Sequence, residues 1–240
     1  MTVAAVIFSR MDSTRLPGKA LKPFAGRALL GHVIDRALAA RNPDMVIVAT
    51  SDRPRDDAIA AFAEKEGARV FRGAAMDVLG RAHACAEVFG LTALGRISGD
   101  SPFISSNLID RILTIHRDGS AEVTTNMHPR TFPAGMSFEV IGIEVLRRLA
   151  GLTDDPRHRE HVTSYIYEHP DQFVIRNITS GLDHWEGLSL TVDSADDLVQ
   201  ANWLLMRLRD AGQAMTMENV LGLAKEWRAT NPVENKRKVL

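Results

Sequence analysis

Three cations stand on one short loop. Arg10, Arg15 and Lys19 fall within Ser9-Arg10-Met11-Asp12-Ser13-Thr14-Arg15-Leu16-Pro17-Gly18-Lys19, directly after a run of apolar residues. Arginine grips phosphate oxygens two at a time and lysine adds a mobile point charge, so together they suit a polyphosphate. Taken singly, each cation reads as well as a solvated residue beside an ordinary turn. Two aspartates are the metal candidates: Asp100 in Gly99-Asp100-Ser101-Pro102, and Asp193 in Leu190-Thr191-Val192-Asp193-Ser194. Magnesium takes one or two carboxylates and completes its shell with waters and phosphate oxygens, so two aspartates facing a triphosphate suffice. Asp193 alone serves equally as a helix cap ahead of Ser194.

For these groups to meet, the chain must bring its loop ends to one edge. Residues 3–8 are continuously apolar and β-branched, as in a strand covered on both faces of a parallel sheet, and ligands of such sheets bind beyond the carboxyl ends of strands. Strand and helix patterns then alternate: a helix to 38, a strand over 45–50, a helix over 58–66 closed by Gly67, a strand over 69–71, a helix over 77–89, a strand over 93–97, a helix over 106–117 and a strand over 122–125. This predicts an α/β fold, a mainly parallel sheet with helices on both faces. Beyond residue 127 the rhythm loosens. A strand over 138–141, a helix over 157–169 stopped by Pro170, strands over 173–178 and 188–192, and a long helix over 194–209 are expected, with a loose tail from 231. The chain reads as one domain, 1–240, with residues 127–187 a lobe that closes over the nucleotide half and supplies a dimer face.

Composition narrows the function. The 240 residues, 45% of them hydrophobic, can bury a large core, and 29 basic against 30 acidic residues leave no bulk charge for nucleic acid or an anionic membrane. No apolar run reaches membrane-spanning length and no leader pattern opens the chain, so a cytoplasmic location is expected. Cys85, among alanines, reads as a buried small side chain. A phosphate loop of the Walker type needs a glycine five residues before its Gly-Lys and a hydroxyl after it; Ser13 and Ala20 hold those places. No Gly-x-Gly occurs, which removes the dinucleotide fingerprint, and no Asp-x-Asp, which counts against the alternative of a glycosyltransferase using a nucleotide-sugar donor. His158 and His161 have zinc-like spacing but lack a third ligand pattern.

Residues 10–19, Gly99-Asp100-Ser101-Pro102, Arg159-Glu160-His161-Val162-Thr163 and Leu190-Thr191-Val192-Asp193, in this order, resemble the cytidylyltransferases that activate acidic sugars, such as the CMP-Kdo and CMP-sialic acid synthetases, and most of all their spore-coat-polysaccharide, SpsF-like branch. The likeness covers about residues 3 to 205. It implies a Rossmann-like nucleotide-diphospho-sugar transferase fold, a homodimer, and transfer of CMP from CTP to an acidic sugar with magnesium and release of pyrophosphate. Carried over by motif, Arg10, Ser13, Arg15 and Lys19 hold the phosphates, with Arg15 and Lys19 catalytic, and Asp100 and Asp193 hold the metal. Arg72, Asp77 and Arg81 lie near base and ribose, although Asp77 is equally a helix cap. His128, Arg130, Glu139, Arg159 and His161 are acceptor contacts. Ser137 departs from the pattern, standing where relatives carry aspartate. A third reading, a binding protein that has lost catalysis, rests on Ser137 alone.

Overall fold

The computed structural model describes residues 1–181 and 185–231. Strand β1 (Val3–Phe8) shows why its sequence has no polar face: Val3, Ala5 and Ile7 pack into one apolar cluster, Ala4 and Val6 into another on the opposite side. A small ribbon, β2 (Pro23–Phe24) and β3 (Arg27–Ala28), leads into α1 (Leu29–Leu38). The alternation continues with β4 (Met45–Ser51), α2 (Asp57–Lys65), β5 (Arg69–Gly73), α3 (Val78–Val88), β6 (Ala93–Ser98), α4 (Ser106–His116) and β7 (Val123–Thr125). Then follow β8 (Glu139–Gly142), α5 (Ile143–Leu152), α6 (Pro156–Glu160), α7 (Ser164–Glu168), β9 (Ile175–Asn177), α8 (Ala195–Asp210) and α9 (Met217–Thr230).

Seven of these strands form one sheet in the order β5-β4-β1-β6-β8-β7-β9. It is mainly parallel, as expected; β8 runs antiparallel to both β6 and β7. The order places β4 on one side of β1 and β6 on the other, each parallel to it. Successive connections therefore leave β1 in opposite directions and open a crevice past the carboxyl ends of β1 and β6. The cationic loop leaves the end of β1 and Asp100 follows the end of β6. The stretch 127–187 contributes β8 and β9 to the same sheet.

Three local expectations are corrected. The helix expected over 157–169 is two short ones, because His161 leaves helical geometry and the chain turns Val162, 1% exposed, into the second apolar cluster. Residues 188–192 are not a ladder strand. Leu188, Leu190 and Val192 are buried in alternation, but the segment makes only an isolated bridge, Ala134 to Ser189; its period of two records packing. The strand expected over 173–178 shortens to β9. Helix α9, which the sequence reading lacked, is capped by Thr216 and lays Trp227 against Trp203 of α8, 5.3 Å between rings. Met215 and Met217 pack on the first core, as expected. Of the tail only Asn231 is described; 232–240 lie outside the described residues. Among the described residues no helix is long and apolar enough to cross a membrane.

Candidate active site

The cationic loop is held in shape before it can hold anything else. Gly18 takes φ +67°, a conformation that costs other residues strain, and so closes the Pro17-Gly18 turn that aims Lys19 inward. Ser13 Oγ accepts from the Leu16 backbone at 3.2 Å, which occupies this hydroxyl with loop geometry. Asp56, fully buried, accepts the Met11 backbone N–H at 2.8 Å and the Ser51 hydroxyl. Asp12 pairs with Arg53 at 2.9 Å and with Arg55, whose hydrogen bond holds the Asp12 carboxyl below its ordinary range. At the next strand, a Cβ on Gly99 would stand 2.8 Å from Ser9 Cβ, so only glycine lets the ends of β1 and β6 approach this closely.

The two aspartates converge. Val192 N–H donates to the Asp100 carbonyl at 2.9 Å, which sets the segments carrying Asp100 and Asp193 side by side. Ser194, not Asp193, caps α8: Ser194 and Asp197 form a reciprocal capping box, and the Asp193 carboxylate is left to other partners. Lys19 Nζ lies between the pair, 2.9 Å from Asp100 Oδ2, 2.9 Å from Asp193 Oδ1 and 3.2 Å from the Val192 carbonyl. Arg15 reaches Asp193 from the solvent side at 3.0 Å. The side chains of Lys19, Asp100 and Asp193 are 17%, 19% and 23% exposed, so this cluster is shielded yet open to a ligand. Burial pulls the Lys19 pKa down, but the two carboxylates outweigh it and hold the ammonium above its ordinary value. Burial likewise pulls Asp193 up, and Lys19 and Arg15 outweigh it to leave the carboxyl below the usual aspartate range.

A second group of charges surrounds this centre without joining it. Arg10 donates to the Ala75 carbonyl at 2.5 Å and stands 3.7 Å from Glu160, so it ties the loop to α6. Arg72 donates to the Ser51 and Arg53 carbonyls, each at 3.0 Å, and pairs with Asp57 at 2.6 Å. Arg81 is 1% exposed and donates to the Ala74 and Ala75 carbonyls at 2.6 and 3.3 Å. It is expected as a nucleotide contact; its burial corrects that to a side chain that positions the 74–76 turn. Burial also brings its pKa down to about 10. Of the two roles that the sequence left open for Asp77, the structure shows the cap: Oδ1 caps α3 through Gly80 N–H at 2.7 Å, while Oδ2 pairs with Arg159. His161 is exposed and lies at the break between α6 and α7.

Three of the acceptor candidates, His128, Arg130 and Glu139, form a separate cluster. Glu139, on β8, is 1% exposed and bound by Arg96 at 2.7 Å and by the Tyr167 hydroxyl at 2.5 Å, so both of its oxygens are engaged in bracing the sheet. His128 stacks on Tyr167, ring centroids 4.8 Å apart, and Arg130 donates to Ser137 Oγ at 3.0 Å. Sequence reasoning missed Asp12, Asp56, Arg96 and Tyr167. Only Asp12 carried a signal, lying in the cationic loop itself. Cys85 is buried in α3, and burial pushes its thiol up to about 12, which leaves it unreactive.

A family model described as cytidylyltransferase matches residues 4–186. The chain is 36% identical over 178 residues to the spore coat polysaccharide biosynthesis protein SpsF of Bacillus subtilis, covering 71% of this chain and 72% of that protein. A cytidylyltransferase from Leptospira borgpetersenii superposes over 100% of this chain and 99% of its own with a TM-score of 0.84 at 27% identity. The CMP:2-keto-3-deoxy-manno-octonic acid synthetase, solved with CTP, shares the fold: TM-score 0.65 at 19% identity, over 86% of this chain and 99% of its own.

Proposed function

This chain belongs to the cytidylyltransferase family, and within it we propose that it transfers CMP from CTP to an acidic sugar, releasing pyrophosphate, for the biosynthesis of a surface polysaccharide. The observation that carries this reading is the convergence of Arg15, Lys19, Asp100 and Asp193 past the ends of β1 and β6. Nucleotidyl transfer needs little covalent chemistry from a protein; it needs phosphates held in line and their charge neutralised. The kinship with SpsF supports the polysaccharide role, and the fold shared with a synthetase of a keto-sugar acid supports the acceptor class.

In the proposed reaction a hydroxyl oxygen of the acceptor attacks the α-phosphorus. The bond from that phosphorus to the bridging oxygen breaks, pyrophosphate leaves with the electron pair, and the acceptor proton passes to water. Arg15 and Lys19 lie where they can turn from the aspartates to phosphate oxygens and neutralise charge that grows on the leaving group. Arg10 keeps the loop docked against the 74–76 turn, and Asp56 keeps the Met11 amide in place. Asp100 and Asp193 fit a divalent cation: both carboxylates already aim at one point, and among the described residues no third His, Cys, Asp or Glu crowds it. A magnesium ion bound there would supply charge neutralisation at the phosphates. His128, Arg130, Arg159 and His161, with residues 127–187 as their lobe, are the proposed acceptor side, and that lobe is also the proposed homodimer face.

Pyrophosphate release tests the reading. Each of the four nucleoside triphosphates is offered with a panel of keto-sugar acids and magnesium. Release confined to CTP and to acidic acceptors is the expected result. Sugar transfer from a nucleotide sugar with release of its nucleotide, or no pyrophosphate from CTP with any acid, overturns it.

A further inference from the structure

We infer that Lys19 is the built-in counter-ion of the aspartate pair, so that the chain keeps no resident divalent cation and takes its nucleotide as a metal complex. This rests on the reading above, in which Asp100 and Asp193 are the metal ligands. An ammonium has three protons to donate, and Lys19 Nζ has three acceptors in reach: Asp100 Oδ2 and Asp193 Oδ1 at 2.9 Å each, and the Val192 carbonyl at 3.2 Å. The position into which both carboxylates point is thus filled, and filled by a group whose hydrogen bonds are complete.

Charge leads to the same conclusion. Asp100 and Asp193 carry two negative charges, and Lys19 and Arg15, both bonded into the pair, carry two positive ones. The cluster is formally neutral as it stands. A divalent cation entering alone would leave two uncompensated positive charges in a site whose inner side chains are no more than 23% exposed, and would have to displace Lys19 with nothing to receive it. A triphosphate changes both conditions. Its oxygens receive Lys19 and Arg15, the carboxylates are uncovered in the same movement, and a cation already bound to the phosphates balances the charge. The geometry of the turn allows such a swing: Lys19 reaches across from the β1 loop to the β6 and α8 sides on a flexible stem, and Arg15 is 65% exposed. Lys19 therefore serves twice, first as a stand-in for the metal and then as a phosphate ligand.

The test is cation binding without turnover. Manganese binding to the full chain is measured by electron paramagnetic resonance and by thermal shift, without nucleotide and with CTP, for wild type, Lys19→Met and Lys19→Gln. Wild type should bind manganese weakly alone and at least about tenfold more tightly with CTP present. Both Lys19 variants, their carboxylates now uncompensated, should bind manganese alone about tenfold more tightly than wild type and gain melting temperature from it, where wild type gains none. A Lys19→Gln/Asp193→Asn double variant should lose that gain. Equal manganese affinity in wild type and both Lys19 variants would overturn the inference while leaving CTP turnover, and the proposed function, standing. Conversely, manganese binding uncovered by Lys19→Gln, together with a wild type that releases no pyrophosphate from CTP, would keep the counter-ion and remove the function.

Discussion

The charges at the end of β1 and β6 and the charges around β8 differ in kind. At the first, Lys19, Arg15, Asp100 and Asp193 form ion pairs that are 17% exposed or more, each partner able to exchange for a ligand. At the second, Glu139 is 1% exposed and its two oxygens are taken by Arg96 and by Tyr167, which is in turn bonded to Thr125. Both are polar networks on neighbouring strands of one sheet. The open one can do chemistry because its pairs are replaceable; the closed one is fixed, and its contribution is to join β6, β7 and β8 into a rigid wall beside the site. A buried carboxylate is therefore a poor guess for a ligand contact when its own side chains already satisfy it.

The sharpest way to break this contrast is to remove one member of each network. Asp100→Ala and Asp193→Ala should each lower kcat/KM for pyrophosphate release by about a thousandfold or more, with the melting temperature little changed, since the removed charge is partly solvated. Near-normal turnover in either would end the metal assignment. Glu139→Gln should do the reverse. It keeps the shape but leaves the Arg96 guanidinium without its counter-charge, costing about 2 kcal/mol, or roughly 4–8 °C in melting temperature for a chain of this size, while kcat at a permissive temperature changes by less than about threefold. A large kcat loss at unchanged stability would mean that Glu139 reaches the acceptor after all.

A smaller effect is expected at Asp56, which stands between the two kinds. It is as buried as Glu139, yet it serves the open network by holding the Met11 amide and so the start of the cationic loop. Asp56→Ala leaves that amide and the Ser51 hydroxyl unpaired, so KM for CTP should rise about tenfold, with acceptor KM unchanged. Parallel rises in both would show a general loosening instead.

Asp56 also marks how far the sequence could be read. The parallel half was legible because its strands are covered on both faces and its loops end on Gly-Lys and Gly-Asp; Arg15, Lys19 and Asp100 are together because β6 lies beside β1, and the bond from Val192 N–H to the Asp100 carbonyl brings Asp193 to them. Which acid of Asp52-Arg53-Pro54-Arg55-Asp56-Asp57 is buried was not legible, since no periodicity distinguishes them. Past residue 127, where β8 runs against its neighbours, long-range pairing overrides local pattern: 188–192 alternates like a strand yet packs as a loop, and 157–169 breaks where Val162 turns inward. The burial of Glu139 was not legible for the same reason, because its partners Arg96 and Tyr167 lie 43 and 28 residues away.

The mildest change should come where the two regions touch. Glu160 of α6 stands 3.7 Å from Arg10 of the cationic loop and is 50% exposed, whereas the neighbouring pair, Arg159 with Asp77, is 23% and 31% exposed. An exposed pair at that distance is worth at most about 1 kcal/mol and is screened by salt. Glu160→Gln should therefore raise KM for CTP by no more than about threefold, with the difference vanishing near 1 M salt, because Arg10 keeps its bond to the Ala75 carbonyl. Arg159→Met, which uncovers the Asp77 cap on α3, should cost more than Glu160→Gln and retain its effect at high salt. If Glu160→Gln instead lowers kcat/KM tenfold or more, the open and closed networks are mechanically one, and α6 is the element that couples them.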